Sequence, residues 1–211
     1  MRISGLRPAS YSPINRAIGE SKMPLMLNSG GGDYLGFVRY MASTSSWEMS
    51  AEGGKQPFTF TKAAFDFSNI ETGWCAFEEG QGPQWVMDES LTKPAARPEG
   101  DAQWKRGFKI KLYSKDMFGD EPVREWATNS AGGTMAIQAV YAEWEKQADD
   151  SKVAVVQFNG ATPTKVGRGS TTVPQFEIIK LVDRPAELAA GSTPPLTAAT
   201  SVDDDEDEFA I

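Results

Sequence analysis

The sequence predicts a mainly β fold, a small barrel or sandwich carrying one amphipathic helix, with an acidic C-terminal tail outside it. Three observations carry this expectation. Between about Tyr34 and Asp183, short apolar and aromatic runs alternate with glycine- and proline-containing breaks, the punctuation of many short strands. One stretch, Ser130 to Ala148, departs from that pattern and repeats its apolar residues at three- and four-residue spacing. Beyond Pro185 there are too few large apolar residues to build a core.

The alternating runs place strands near 34–41, 58–67, 72–78, 84–88, 104–113, 122–127, 153–158 and 175–183. The run Asn28-Ser29-Gly30-Gly31-Gly32-Asp33 reads as a hairpin loop; its glycines follow no dinucleotide or Walker spacing and precede a strand rather than a helix. In the exceptional segment, Ile137, Val140, Tyr141, Trp144 and Ala148 share one helical face, with Glu143, Glu145 and Lys146 between them. Such a helix could plug one end of a barrel with Tyr141 and Trp144. Residues 186–202 are rich in Ala, Gly, Ser, Thr and Pro and read as a flexible tether whose typical span, as a random coil, is about 20–25 Å. The domain is thus expected at 1–185, the linker at 186–202 and the tail at 203–211.

Composition closes several function classes. A chain of 211 residues without histidine lacks the commonest general base and metal ligand, and with them every Ser-His and Cys-His nucleophile pair. Cys75, the only cysteine, excludes an internal disulfide and a multi-thiolate zinc site, suits a reducing compartment, and reads as a small core residue. No cofactor motif is visible, and none is expected. Glu78, Glu79, Asp88 and Glu89 are close enough in sequence to suggest a magnesium site, although solvated turn residues are the simpler reading. No apolar stretch approaches the roughly 20 residues that span a bilayer, and the N-terminal residues show no apolar signal region, so a cytoplasmic protein without membrane contact is expected.

Charge is unevenly distributed. The net charge is −8, but six of the 29 acidic residues form the run Asp203, Asp204, Asp205, Glu206, Asp207, Glu208; without them, 21 basic residues face 23 acidic ones. A nearly neutral body can hold a local basic groove but not a broad duplex-binding surface. The run is closed by Phe209-Ala210-Ile211, and the combination of charge with an apolar end reads as a docking peptide rather than a solubilising tail.

The most informative strand is Trp104-Lys105-Arg106-Gly107-Phe108-Lys109-Ile110-Lys111-Leu112-Tyr113. Alternation puts Trp104, Phe108, Ile110 and Leu112 on one face and Lys105, Lys109, Lys111 and Tyr113 on the other, with Arg106 among the apolar set. Single-stranded nucleic acid is bound by this combination: ammonium groups meet phosphates along a path, and aromatic faces receive unstacked bases. Lys165 and Arg168, in the loop-like stretch Thr164 to Ser170, and Lys180 on the last strand extend the basic set. Tyr34, Phe37, Tyr40, Trp74 and Trp85 are stacking candidates whose side of the sheet strand parity alone leaves open. Lysines also guard exposed strands against aggregation, and a solvated strand face is the competing explanation.

The tail Asp203 to Phe209 resembles that of the single-stranded DNA-binding proteins of tailed bacteriophages, and Val173-Pro174-Gln175-Phe176-Glu177-Ile178-Ile179-Lys180-Leu181-Val182-Asp183-Arg184-Pro185 is similar to the closing strand of such proteins. The resemblance covers under a third of the chain. It implies an OB-fold-like β-barrel that coats single-stranded DNA, without sequence preference, in replication, recombination or repair. It further implies that the tail contacts replication proteins such as a DNA polymerase, in the cytoplasm of a host cell, with homo-oligomers as an option. A phage structural or adaptor protein without DNA binding, and a magnesium-dependent nuclease using the carboxylates above, are the alternative expectations.

Overall fold

The computed structural model describes residues 35–77 and 82–189. Tyr34, the glycine run 28–33, Glu78, Glu79 and the tail 203–211 lie outside the described residues.

The described chain is mainly β. Its strands are β1 (Phe37–Met41), β2 (Ser46–Ala51), β3 (Gly54–Phe58), β4 (Lys62–Phe65), β5 (Glu71–Ala76), β6 (Gln84–Met87), β7 (Lys105–Tyr113), β8 (Val123–Thr128), β9 (Lys152–Val166) and β10 (Gly169–Asp183). Helices are α1 (Lys115–Phe118), α2 (Ala131–Glu145) and α3 (Ala186–Ala189), with a 3₁₀ turn at Phe67–Asn69. The strand expected over 58–67 is divided: Phe58 closes β3, β4 begins at Lys62, and Phe67 already belongs to the 3₁₀ turn. The stretch from Thr164 to Ser170, expected as a loop, is the tip of a long hairpin in which β9 and β10 pair from Lys152↔Asp183 to Val166↔Gly169. Gly167 turns the hairpin with φ 56°, a left-handed conformation open to glycine at little cost.

Helices α1 and α2 start where the sequence supplies a cap. Ser114 Oγ accepts from Met117 N at 3.3 Å at the head of α1, and Ser130 Oγ accepts from Gly133 N at 3.2 Å at the head of α2. α2 buries Ala136, Ile137, Val140 and Trp144, as its periodicity requires. Trp144 and Tyr141, the two residues expected to plug a barrel end, pack on Phe67 of the 3₁₀ turn, with centroids 5.5 and 5.9 Å away. Ala148, expected on the same face, lies past the helix end and is exposed.

One sheet runs β10-β9-β4-β7-β8-β1-β2-β3, with β5 and β6 continuing from the N-terminal half of β7. The series β4, β7, β8, α2, β9, β10 has the strand-strand-strand-helix-strand-strand order of an OB barrel, with β5 and β6 inserted between its first two strands. The sheet remains open. β8 pairs with β1, in parallel, and β10 meets β1 only through side chains: Tyr40 Oη donates to Thr172 Oγ1 at 3.0 Å, and Thr172 Oγ1 donates to Ala42 O at 2.5 Å.

The core is aromatic. Trp126, fully buried, takes Phe108 and Trp47 edge-on at 4.9 and 5.2 Å. Trp126→Ala would cost about 3–5 kcal/mol. At the C-terminal end Arg184 pairs with the buried Asp66 at 2.6 Å and fixes where the chain leaves β10. It then forms α3, whose Leu188 is wholly buried against Ala64 and Val153, so the folded chain continues four residues past the boundary expected at 185. Among the described residues no helix is long and apolar enough to cross a membrane, a statement that does not extend to strands.

Candidate nucleic-acid interface

β7 divides as its alternation requires. Phe108, Ile110 and Leu112 are buried in the core, while Lys109, Lys111 and Tyr113 are half-buried on the opposite face and Lys105 is exposed. Directly paired residues share a face, so Glu71 and Ala127 flank Lys109, and Glu125 flanks Lys111. Neither lysine closes an ion pair with these carboxylates.

Trp85 completes this face. It pairs with Cys75, which pairs with Lys105, so the indole stands on the lysine side. A Cβ built on Gly107 would lie 2.9 Å from Trp85 Cη2 and 2.6 Å from Thr128 O: the ring lies over a position that only glycine leaves open. Lys109 Nζ is 5.3 Å from its centroid, a cation–π distance. Beneath it Cys75 is buried, and burial pushes its thiol up to about 11, partly opposed by the charge of Lys109. Phe77, one residue past β5, is 60% exposed, the largest exposure among the apolar side chains of the described residues. No sequence motif marks Phe77; its only signal was an aromatic at the end of an apolar run beside a glycine-containing stretch.

The other expected site residues are dispersed. Trp74 lies on the opposite face of β5, where its ring is flanked by Arg106 at 5.4 Å and Arg97 at 5.7 Å and its Nε1 donates to Ala95 O at 3.0 Å. It is therefore separated from the lysine ridge by the sheet itself. Tyr40 is in the core. Tyr113 lies under α3, packed with Leu188, Ala64 and Val123, and its hydroxyl donates to Glu187 Oε1 at 3.4 Å, so its ring is not free to stack on a base. Glu187 also pairs with Lys115 at 3.2 Å. Lys180 is level with Val155 on β9, then Ala64 and Tyr113, three strands from the ridge with α3's seat between. Lys165 and Arg168 stand exposed at the tip of the β9–β10 hairpin.

Of the carboxylates considered for magnesium, the two described ones, Asp88 and Glu89, are engaged otherwise. Asp88, with a side chain 3% exposed, takes both guanidinium nitrogens of Arg106, the hydroxyl of Thr72 at 2.5 Å and Ala95 N at 2.8 Å. The Arg106 hydrogen bonds, above all, hold its carboxyl well below the usual range against the opposing effect of burial. Glu89 pairs with Lys93 on the surface. Among the described residues no three acidic or cysteine side chains come together as a metal site.

Comparison with protein-family models, with curated proteins and with solved structures returns no match to this chain.

Proposed function

We propose that the chain is a sequence-independent single-stranded DNA-binding protein, whose strand path runs over the outer face of β7. The observation that carries this reading is Trp85 lying over Gly107 beside Lys109, with Lys105 and Lys111 on the same face. An outward indole covered by a flexible ammonium can take a base in that ammonium's place, and the lysines stand where phosphates would pass. The position supports the reading as well. In OB barrels the second and third strands, with the loops between strands one and two and between four and five, form the oligonucleotide surface. Here those parts are β7 and β8, the β4–β7 connection that carries Phe77 and Trp85, and the β9–β10 tip that carries Lys165 and Arg168.

The role extends to the tail. α3, the last described element, sits at the Tyr113 end of the ridge. An acidic run tethered there competes with phosphate for the lysines, and DNA releases it for a replication partner such as a polymerase. Coating of strands exposed in phage replication, recombination or repair, in the host cytoplasm, follows from the same reading.

Titration of labelled oligo-dT by fluorescence anisotropy, with duplex as competitor, tests it. Lys109→Ala and Lys111→Ala are each expected to weaken binding and to lower the slope of log affinity against log salt by about 0.7, one released counterion per lysine on a single strand. Unaltered slopes in both variants, or preference for duplex, would overturn the assignment.

A further inference from the structure

The outer face does not stop at β8. Through Glu125, which pairs with Lys111 on one side and with Phe37 on the other, the row of Lys111 continues onto β1. Phe37 N donates to Ser50 Oγ at 2.9 Å, Ser50 pairs with Lys55, and Lys55 Nζ returns over the Phe37 ring at 5.9 Å from its centroid. The neighbouring outward residue of β1, Arg39, is 41% exposed in its side chain and pairs with Glu48 at 2.7 Å. At about 4.8 Å between strands, Phe37 is about 10 Å and the Lys55 backbone about 19 Å from Lys111 across the sheet. Burial confirms the face: Phe37, Arg39 and Met41 are half-buried, while Val38 and Tyr40 between them are in the core.

β1, β2 and β3 thus repeat, at the far end of one continuous face, the arrangement that Trp85 and Lys109 make at the near end: an outward aromatic ring with an ammonium over it, which a base can replace as the lysine moves to a phosphate. We propose that this pair, Phe37 with Lys55, is a second stacking station for single-stranded DNA, so that the strand crosses the sheet from Trp85 over Lys111 to Phe37 instead of following β7 alone. The inference rests on the single-strand reading of the ridge. It implies a longer occluded length than the barrel strands β7 and β8 provide. Glu125 lies under the crossing and faces the bridging sugar or base, since a phosphate there would meet a like charge.

The test is affinity as a function of oligonucleotide length. OB folds occupy about 4–16 nucleotides, so oligo-dT of about 6 and about 16 nucleotides bracket the range. In the full-length protein, Phe37→Leu keeps apolar volume in the sheet but removes the π face, and Lys55→Ala removes an exposed charge. Both are expected to weaken the long oligonucleotide, by about 5-fold and about 3-fold, and to leave the short one unchanged; Trp85→Ala is expected to weaken both. Long-oligonucleotide affinity unaltered in Phe37→Leu and Lys55→Ala, or an equal loss with both lengths, overturns the second station while the ridge reading stands on Trp85→Ala. Absence of binding by the unaltered chain overturns both.

Discussion

Replacing Trp85 separates a stacking platform from a packing residue. Its ring lies against Gly107 with the Lys109 ammonium over it, so a base that stacks there displaces a flexible lysine side chain and not packed core. A base stacked on a protein aromatic contributes about 1–3 kcal/mol; for a half-buried ring from which a lysine is displaced the lower part, about 1–2 kcal/mol, applies, or about 5- to 30-fold in affinity for Trp85→Ala. Trp85→Phe keeps a π face and should stay within about 3-fold of the original affinity. β6 pairs only with β5, so truncation there is expected to cost the fold about 1 kcal/mol, well short of unfolding it. The assay is intrinsic fluorescence. Of the six tryptophans, Trp47, Trp126 and Trp144 are 2%, 0% and 5% exposed and cannot touch a ligand, Trp74 is flanked by two arginines on the other side of the sheet, and Trp104, half-buried just before β7 with its Nε1 buried, has the parity of that strand's core face. Oligo-dT should therefore quench chiefly Trp85, and Trp85→Phe should bind while losing most of the quench. An undiminished quench in that variant, or undiminished affinity in Trp85→Ala, would refute the placement of the base on this ring.

Two further outcomes follow from the electrostatics. Deleting residues 203–211 is expected to tighten oligo-dT binding several-fold at low salt and to change little at high salt, where screening removes the competing polyanion's advantage; equal affinities at every salt concentration would exclude self-competition. Asp88→Asn is expected to destabilise the fold by about 2 kcal/mol at neutral pH, the value for a buried charge-assisted network discounted for the solvent around Arg106. Because the folded-state pKa of Asp88 is depressed, its contribution is complete above the ordinary carboxylate value and is lost as pH falls below it. The urea midpoints of the two proteins should thus converge on acidification, with about 1 kcal/mol of the gap gone by about pH 3. A gap that keeps its size in acid would show that Asp88 acts by packing alone.

The sequence shows most clearly what depends on period. β7 and α2 were legible because their apolar residues carry their own faces: three lysines alternate with Phe108, Ile110 and Leu112, and Ile137, Val140 and Trp144 recur at helical spacing. β2 and β3 were not read: Ser46–Ala51 does alternate polar residues with Trp47, Met49 and Ala51, a strand signal that was passed over, whereas Gly54–Phe58 has Phe58 as its one large apolar residue and pairs along the edge that β2 offers. The polar halves of β9 and β10 were missed for the same reason, and read as loop. Among site residues, parity could not place Trp74 and Trp85, which lie on different strands of one small ribbon and face opposite ways. Tyr113 has the parity of the lysines, and only tertiary structure reveals α3 on top of it.

The arrangement of charge bears on how such a surface could bind a polyanion while the whole chain is negative. Lys109 and Lys111 each face one cross-strand carboxylate, Glu71 and Glu125, so the ridge is a row of local dipoles rather than a basic field. Long-range attraction from such a face is weak, and a phosphate gains mainly on close approach, after the strand is already seated. Affinity must then come in larger part from stacking on Trp85, Phe77 and Phe37 than from counterion release. The total salt slope should accordingly be shallow, near the three ridge lysines Lys105, Lys109 and Lys111, or four with Lys55, or about −2.1 to −2.8 at 0.7 per phosphate. A slope several times steeper would mean that phosphates are held chiefly elsewhere, with the exposed Lys165 and Arg168 of the β9–β10 tip as the first place to look.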